Sequence, residues 1–183
     1  MSESSPTGGP FLMFGLGTPA LEESSADTFG IDVEHVMQVL EAEVVVNVPL
    51  APAVVEGVIN HHGRILTVVD PAPLLGFEPQ PQPVAQVVVL RRPGGIGGHV
   101  GLKVVRTQEI VAANRLQRAE LGTEAILRAP TAANEILTDC VVKWESRLVQ
   151  ILSYDVLLSE LGRRFELPTT VQPTSTGIQG ASP

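Results

Sequence analysis

Residues 49–76 read PLAPAVVEGVINHHGRILTVVDPAPLLG, and the fold turns on how that stretch is parsed. Val54, Val55, Val58 and Ile59 recur at i, i+1, i+4 and i+5 after Pro52, a spacing that predicts one turn of helix. Gly57 interrupts it, so the turn is expected to run straight into a strand. His62-Gly63 marks a tight turn. Ile65 to Val69 is a short apolar run, as expected of a strand covered on both faces. Asp70-Pro71 stops that strand, because Asp caps a following helical turn and Pro pre-sets its first position. Gly76 follows Leu74-Leu75, where the end of a turn takes positive φ. No set of catalytic groups converges here. The stretch reads as a rigid platform for another molecule to touch.

Working outward, residues 1–9 are rich in Ser, Gly and Pro and are expected to be disordered. Phe11 to Leu16 reads as a strand, Thr18 to Asp27 as a polar connector, and Thr28 to Ile31 as a second strand. A brief turn at Asp32–Glu34 leads into a strand through Leu40, and Val44 to Val48 reads as another. Beyond the platform, Glu78 to Pro83 (EPQPQP) reads as a spacer. Val84 to Leu90 is a strand, 93–98 (PGGIGG) a turn, and His99 to Arg106 alternates clearly. Val111 to Arg118 is turn-like, and residues 119–133 read as a long loop. Glu135 to Trp144 and Arg147 to Leu152 form a hairpin on Glu145-Ser146. Ser153 to Phe165 is the best helix: Ser153 caps it, Val156, Leu157, Leu161 and Phe165 share a stripe, and Arg163-Arg164 suit its C-terminal end. Residues 166–183 carry no charged side chain after Glu166 and read as a flexible tail.

At 183 residues the chain can fill one good core or two small ones. Paired and tripled valines favour strands. The net charge of −8, with no cluster of basic residues, is ill suited to a phosphate backbone or an anionic membrane surface. The N-terminus shows no signal-peptide pattern and no apolar run reaches spanning length, so a cytoplasmic location is expected. The single Cys140 sits in an apolar run and reads as a small buried hydrophobe. His61-His62 is the most tempting metal site, but neighbours on a strand point apart and no partner stands at ligand spacing. His35 and His99 read as isolated. Residues 94–98 lack the Lys-Ser/Thr of a phosphate loop, and strand pattern follows them. The expectation is no enzyme, no cofactor and no metal. A ligand- or nucleic-acid-binding barrel of OB type is the competing class; acidity and the shortage of aromatics argue against it.

The element order resembles the CheW family, the adaptors of bacterial chemosensory arrays. FLMFGLG is similar to that family's opening strand. TFGIDVEHVMQVL is similar to its Y-G-I-D-x-x-x-V-x-E-I segment. VPLAPAVVEGVINHHGRILTVVDPAPLLG resembles its central signature, I-P-N-x-P-x-F-x-x-G-V-x-N-L-R-G-x-I-x-P-V-I-D-L-R. VVVLRRPGGIGGHVGLKVVRTQEIV resembles its strand pair, and RLVQILSYDVLLSEL its closing strand and helix. The resemblance implies an all-β fold of two small five-stranded, SH3-like barrels over 10–165: one of about 28–76, one of about 10–17 plus 84–152, and a closing helix at about 153–165. It implies an adaptor, with no catalytic activity, between chemoreceptor tips and the regulatory domain of a CheA-type histidine kinase. The receptor groove carried over is Ile31, Val33, Val36, Gln38, Gly57, Asn60, His62, Gly63 and Ile65. Gly57→Trp or Val36→Glu is then expected to abolish receptor binding and leave the barrels folded. The family carries Glu at Gln38 and Arg at His62, so a neutral Gln38–His62 contact is expected in place of a charged pair. That departure implies a second reading: a divergent accessory adaptor, such as one of a Frizzy-type pathway, that couples weakly to kinase.

Overall fold

The computed structural model describes residues 8–16, 28–41, 45–77, 79–80, 83–91, 99–119 and 137–165. Strand β1 (Phe11–Gly15) runs antiparallel to β2 (Thr28–Asp32), with Phe11 opposite Asp32 and Gly15 opposite Thr28. A 3-10 turn at Val33–His35, capped by the Asp32 carboxylate accepting from the Glu34 N–H, redirects the chain into β3 (Val36–Glu41). Then come the hairpin β4 (Val55–His61) and β5 (Arg64–Val69), β6 (Gln86–Leu90), β7 (His99–Val104), β8 (Arg106–Val111), β9 (Gln117–Arg118), and the hairpin β10 (Thr138–Trp144) and β11 (Arg147–Leu152). Helix α1 (Tyr154–Phe165) closes the described chain.

The strands form two sheets. One has six strands in the order β8-β1-β2-β11-β10-β9, the other five in the order β3-β6-β7-β5-β4. The chain starts in the first, crosses at Val33–His35, builds all of the second, and returns between β7 and β8. The expected small paired barrels hold in outline, but the sheets have six and five strands, and among the described residues no backbone ladder closes either. Strand membership also differs from the expected division. Thr28–Asp32 pairs with β1, and Gln86–Leu90 and His99–Val104 lie in the same sheet as the β4–β5 hairpin. Alternation along a strand defines two faces and says nothing about which strand lies alongside.

That alternation sorts residues into three cores. Phe11, Met13, Cys140, Val142, Trp144, Val149 and Ile151 fill one side of the six-stranded sheet. Ile59, Leu66, Val68, Val87 and Val89 fill the five-stranded one, with Leu40 and Val45 packed on them. The intervening positions, among them Leu12, Phe14, Phe29, Ile31, Val69, Val88, Leu90, Leu102 and Leu152, face the other way into a shared core that also takes Leu157 and Leu161 of α1. Each buried aliphatic side chain contributes roughly 1.5–3 kcal/mol by leaving water, so double-sided strands such as β6 anchor both layers.

The opening stretch behaves differently at one point. No helical turn forms over 54–59; β4 is extended from Val55. The helix-like spacing arises from a β-bulge, where the register against β5 slips between Val55 and Gly57. An extra residue lengthens one interval of the two-residue period to three, Val55 to Val58, which resembles helical spacing. Residues 45–48 give a single bridge, Val46 to Val58, in place of the expected strand. On β5, Leu66, Val68 and Val69 are buried as expected, but Ile65 is 57% exposed. The pairing with β7 begins only at Leu66, so Ile65 lies beyond the covering strand.

Gln80, within the expected spacer, is tied down. The buried Asp70 carboxylate accepts from the Ala72 N–H at 2.9 Å, the Gln80 N–H at 2.8 Å and the Gln80 side-chain amide at 3.0 Å. Buried Lys103 donates to the Gln80 carbonyl and to Glu56 Oε1, both at 2.8 Å. Lys103 lies on β7 and Glu56 on β4, on opposite sides of β5, so the ion pair braces the sheet across β5. The Ala72–Leu75 turn ends on Gly76 in the left-handed conformation, as expected. The Glu145-Ser146 hairpin and α1 also form as expected. The readings at 18–27, 93–98, 120–133 and 166–183 lie outside the described residues.

A candidate docking surface at the open seam

The five-stranded sheet has two outer strands, β3 and β4. Gln38 on β3 stands opposite Val89, on the face that carries Leu40 into the core. His61 on β4 lies two residues beyond Ile59, on that same inner face. The two side chains meet across the seam: the Gln38 amide donates to His61 Nε2 at 2.9 Å. One neutral side-chain bond therefore spans the gap that a backbone ladder leaves open. The expected partner of Gln38 was His62, and the structure corrects this. His62 has left the strand at the hairpin tip, with φ 50° followed by Gly63 at φ 79°. That sequence of positive φ values is what a two-residue hairpin with right-handed strand twist requires. The Asn60 side chain accepts from the Gly63 N–H at 3.0 Å and fixes the tip.

The turn also overrides the expectation that the two imidazoles diverge. Their centroids are 4.3 Å apart with planes inclined at 63°, in edge-to-face contact. Strand alternation fails where the backbone turns left-handed. Among the described residues no three His, Cys, Asp or Glu side chains gather as a metal centre needs.

The nine residues expected to form a groove separate into groups. Asn60, His62, Gly63 and Ile65 are exposed on or beside the β4–β5 tip. Val33 and Val36 are half-buried at the entry to β3, packed against the shared core, and Gln38 is half-buried at the seam. The Gln38–His61 bond brings the two groups together. Ile31 does not belong: it is fully buried in the shared core, on an interior strand whose opposite face at Gly30 is covered by Met13 and Ile151. Gly57 does not belong either. It is buried at the bulge with φ 152°, where an added Cβ would collide with the Val46 carbonyl and stand 2.7 Å from Val45 Cγ1. Gly57→Trp would therefore displace the Val45–Val46 crossing and unsettle the sheet, contrary to the expectation that it leaves the fold intact.

Sequence reading named Ile65 but missed the rest of the apolar flank of this seam. Val46 is 58% and Leu50 98% exposed, Val48 and Ile65 are exposed beside them, and Met37 and Val39 are exposed on β3. Val46 is bridged to Val58, which pairs with Thr67, and the neighbouring pair is Asn60–Ile65, so Val46 and Ile65 share the outer face of one hairpin. Leu50 sits in the left-handed region at φ 61°, rare for a branched side chain. From residue 44 to residue 63 the only charge is Glu56, and its carboxylate is turned inward to Lys103. A run of uncharged residues was the available signal; it reads as strand core until the chain is seen to place it outside.

Cys140 lies away from this surface, in the core of the six-stranded sheet. Burial raises its thiol above the ordinary 9.0, the Asp139 charge adds to the rise, and Arg118 opposes it. The folded form thus keeps its proton where the unfolded form begins to release it. The resulting stabilisation is complete below the ordinary thiol range and fades as pH climbs through it. Iodoacetamide at neutral pH is expected to leave native Cys140 unmodified and to alkylate it fully in concentrated urea, read by mass spectrometry. Equal rates in both would contradict the buried, protonated thiol.

Two sheets, each with its own core on one face and a shared core that also takes the C-terminal helix, define a double β-sheet module with an open seam on one sheet. The CheW-like domain profile matches residues 12–162, and the chain belongs to that family. The fold is similar to the crystal structure of the scaffolding protein TtCheW from Thermoanaerobacter tengcongensis, with a TM-score of 0.60 at 18% identity, over 91% of this chain and 99% of that one. No curated protein matched the chain. No helix among the described residues is long and apolar enough to cross a membrane.

Proposed function

We propose that this protein is a non-enzymatic adaptor that docks the helical cytoplasmic tip of a chemoreceptor at the β3–β4 seam and carries a CheA-type histidine kinase regulatory domain beside it. The observation that carries this reading is the seam itself, in a chain of the CheW-like family. It offers an open sheet edge latched by Gln38–His61, a fixed hairpin tip, and an uncharged apolar flank at Val46, Leu50 and Ile65. A helical hairpin needs a preformed apolar surface with polar groups at its margin, and a rigid platform binds without the entropic cost of ordering itself. The adaptor works in the cytoplasm, and its work is geometric: it holds two partners at a fixed spacing and requires no cofactor or metal.

The test is a calorimetric titration with the purified receptor tip, then with the kinase regulatory domain. Saturable one-to-one binding of the tip is expected; none at all would overturn the proposal. Ile65→Glu, exposed enough to leave the fold unchanged, should weaken tip binding about 30-fold, the ~2 kcal/mol typical of a central interface residue. Unchanged affinity would move the tip elsewhere on the surface. A second reading has its own observation. The family's charged pair is replaced by the neutral Gln38–His61 bond, which favours an accessory adaptor with weak kinase coupling. Micromolar or tighter binding of the kinase domain would remove that reading. Binding of an oligonucleotide with strong salt dependence would instead favour an OB-type barrel.

A further inference from the structure

Tyr154 opens α1 and is buried, although the remainder of the helix packs mainly through Leu157 and Leu161. Its ring lies flat on that of His35, with centroids 3.9 Å apart and planes only 3° from parallel. Its hydroxyl donates to the Arg91 carbonyl. Arg91 in turn grips the start of β3 twice. Its N–H donates to the His35 carbonyl at 2.8 Å, and its Nε donates to the Val36 carbonyl at 3.2 Å. His35, which reads from sequence as partnerless, is thus held on both its ring and its backbone.

These contacts converge on the residues that set the direction of β3. Val36 pairs with Leu90, and the register then slips before Gln38 pairs with Val89. That bulge aims Gln38 across the seam at His61. An irregular strand entry has no continuous ladder of its own, so its position depends on whatever pins the residues just before it. Here the pins are the first residue of α1 and the residue that follows β6.

We infer that Tyr154 and Arg91 are positioning residues for the docking seam, with α1 acting as a strut that fixes Val33, Val36 and Gln38 in the orientation the receptor tip meets. This rests on the docking function proposed above. Tyr154 acts through His35 and Arg91. Loss of its hydroxyl loosens the β3 entry and leaves the β4–β5 tip unaffected.

The experiment compares wild type, Tyr154→Phe, His35→Ala and His35→Phe. Receptor-tip affinity is measured by calorimetry and local amide exchange by mass spectrometry. Tyr154→Phe keeps the ring and loses the hydroxyl; His35→Ala keeps the hydroxyl and loses the stack; His35→Phe restores it. The first two should each weaken tip binding about 5- to 10-fold, within the range of coupling through a packed network, and His35→Phe should return to within about twofold of wild type. Exchange should quicken at 33–38 and stay unchanged in β10 and β11. If wild type binds the tip and both weakened variants bind equally well, the strut is refuted. A uniform rise in exchange across both sheets would also refute it, as general destabilisation. Failure of wild type itself to bind would count against the docking function, not against the coupling of α1 to β3, which the exchange data read separately.

Discussion

Phe29→Ala lowers the unfolding free energy by about 3–5 kcal/mol, the loss expected when a fully buried aromatic ring is truncated. Phe29 is fully buried on β2, and β2 lies between β1 and β11 near the centre of the six-stranded sheet. Its ring packs against Phe14 at 6.3 Å and meets Phe77 edge-on at 6.0 Å. Phe14 belongs to the six-stranded sheet, while Phe77 follows the turn that leaves β5. Truncation therefore opens a cavity in the shared core and removes a contact between the two layers. In a chain of this size the melting temperature should fall roughly 6–20 °C. Calorimetric melting checks it. A fall of under about 2 °C would mean that the two sheets are not coupled through this core.

Asp70→Ala costs about 3 kcal/mol, for a different reason. Three donors converge on a carboxylate that water does not reach: the Ala72 and Gln80 N–H groups and the Gln80 amide. Alanine leaves two backbone donors buried without acceptors, and each such group loses its hydration uncompensated. The damage spreads through Gln80, whose carbonyl holds Lys103, and Lys103 holds Glu56 at the foot of β4. Asp70→Asn should recover only part of the loss, because its NH2 would face a donor. Urea unfolding of the two variants distinguishes them; equal stability of Asp70→Ala and wild type would show that the network contributes nothing. Weakening the brace should also raise amide exchange along β4, the strand that carries one side of the seam.

Much of this was legible beforehand. The hairpins at His62-Gly63 and Glu145-Ser146, the Asp70-capped turn, the alternation of β7 and the final helix all depend on residues within a few positions of one another. Local chemistry decides such features, and the stretch from Pro49 to Gly76 states most of them openly. The bulge at Gly57 was misread for a local reason too: one inserted residue turns a period of two into something that resembles a helix.

The candidate surface was only half legible. Asn60, His62 and Gly63 are exposed as their turn position implies, and Ile65 because β7 pairs only from Leu66, whereas Ile31 is buried by strands that lie far away in sequence and Gly57 by the Val45–Val46 crossing. Lys103 shows the same limit from the other side. A lysine in an alternating strand reads as solvated, and only the arrival of Glu56 and Gln80 from elsewhere makes its burial tolerable.

From its sequence alone this protein is a many-stranded β chain with a C-terminal helix, fixed short turns and the pattern of a CheW-like adaptor. Its tertiary structure alone decides that β2 joins β1, that β6 and β7 join the β4–β5 hairpin, that Gln38 finds His61, and that Tyr154 reaches Arg91. The reason is physical. Turns and caps are bonds between near neighbours, but a strand's outer edge accepts any strand of suitable length, and which one arrives is settled by how all the apolar faces can be covered at once.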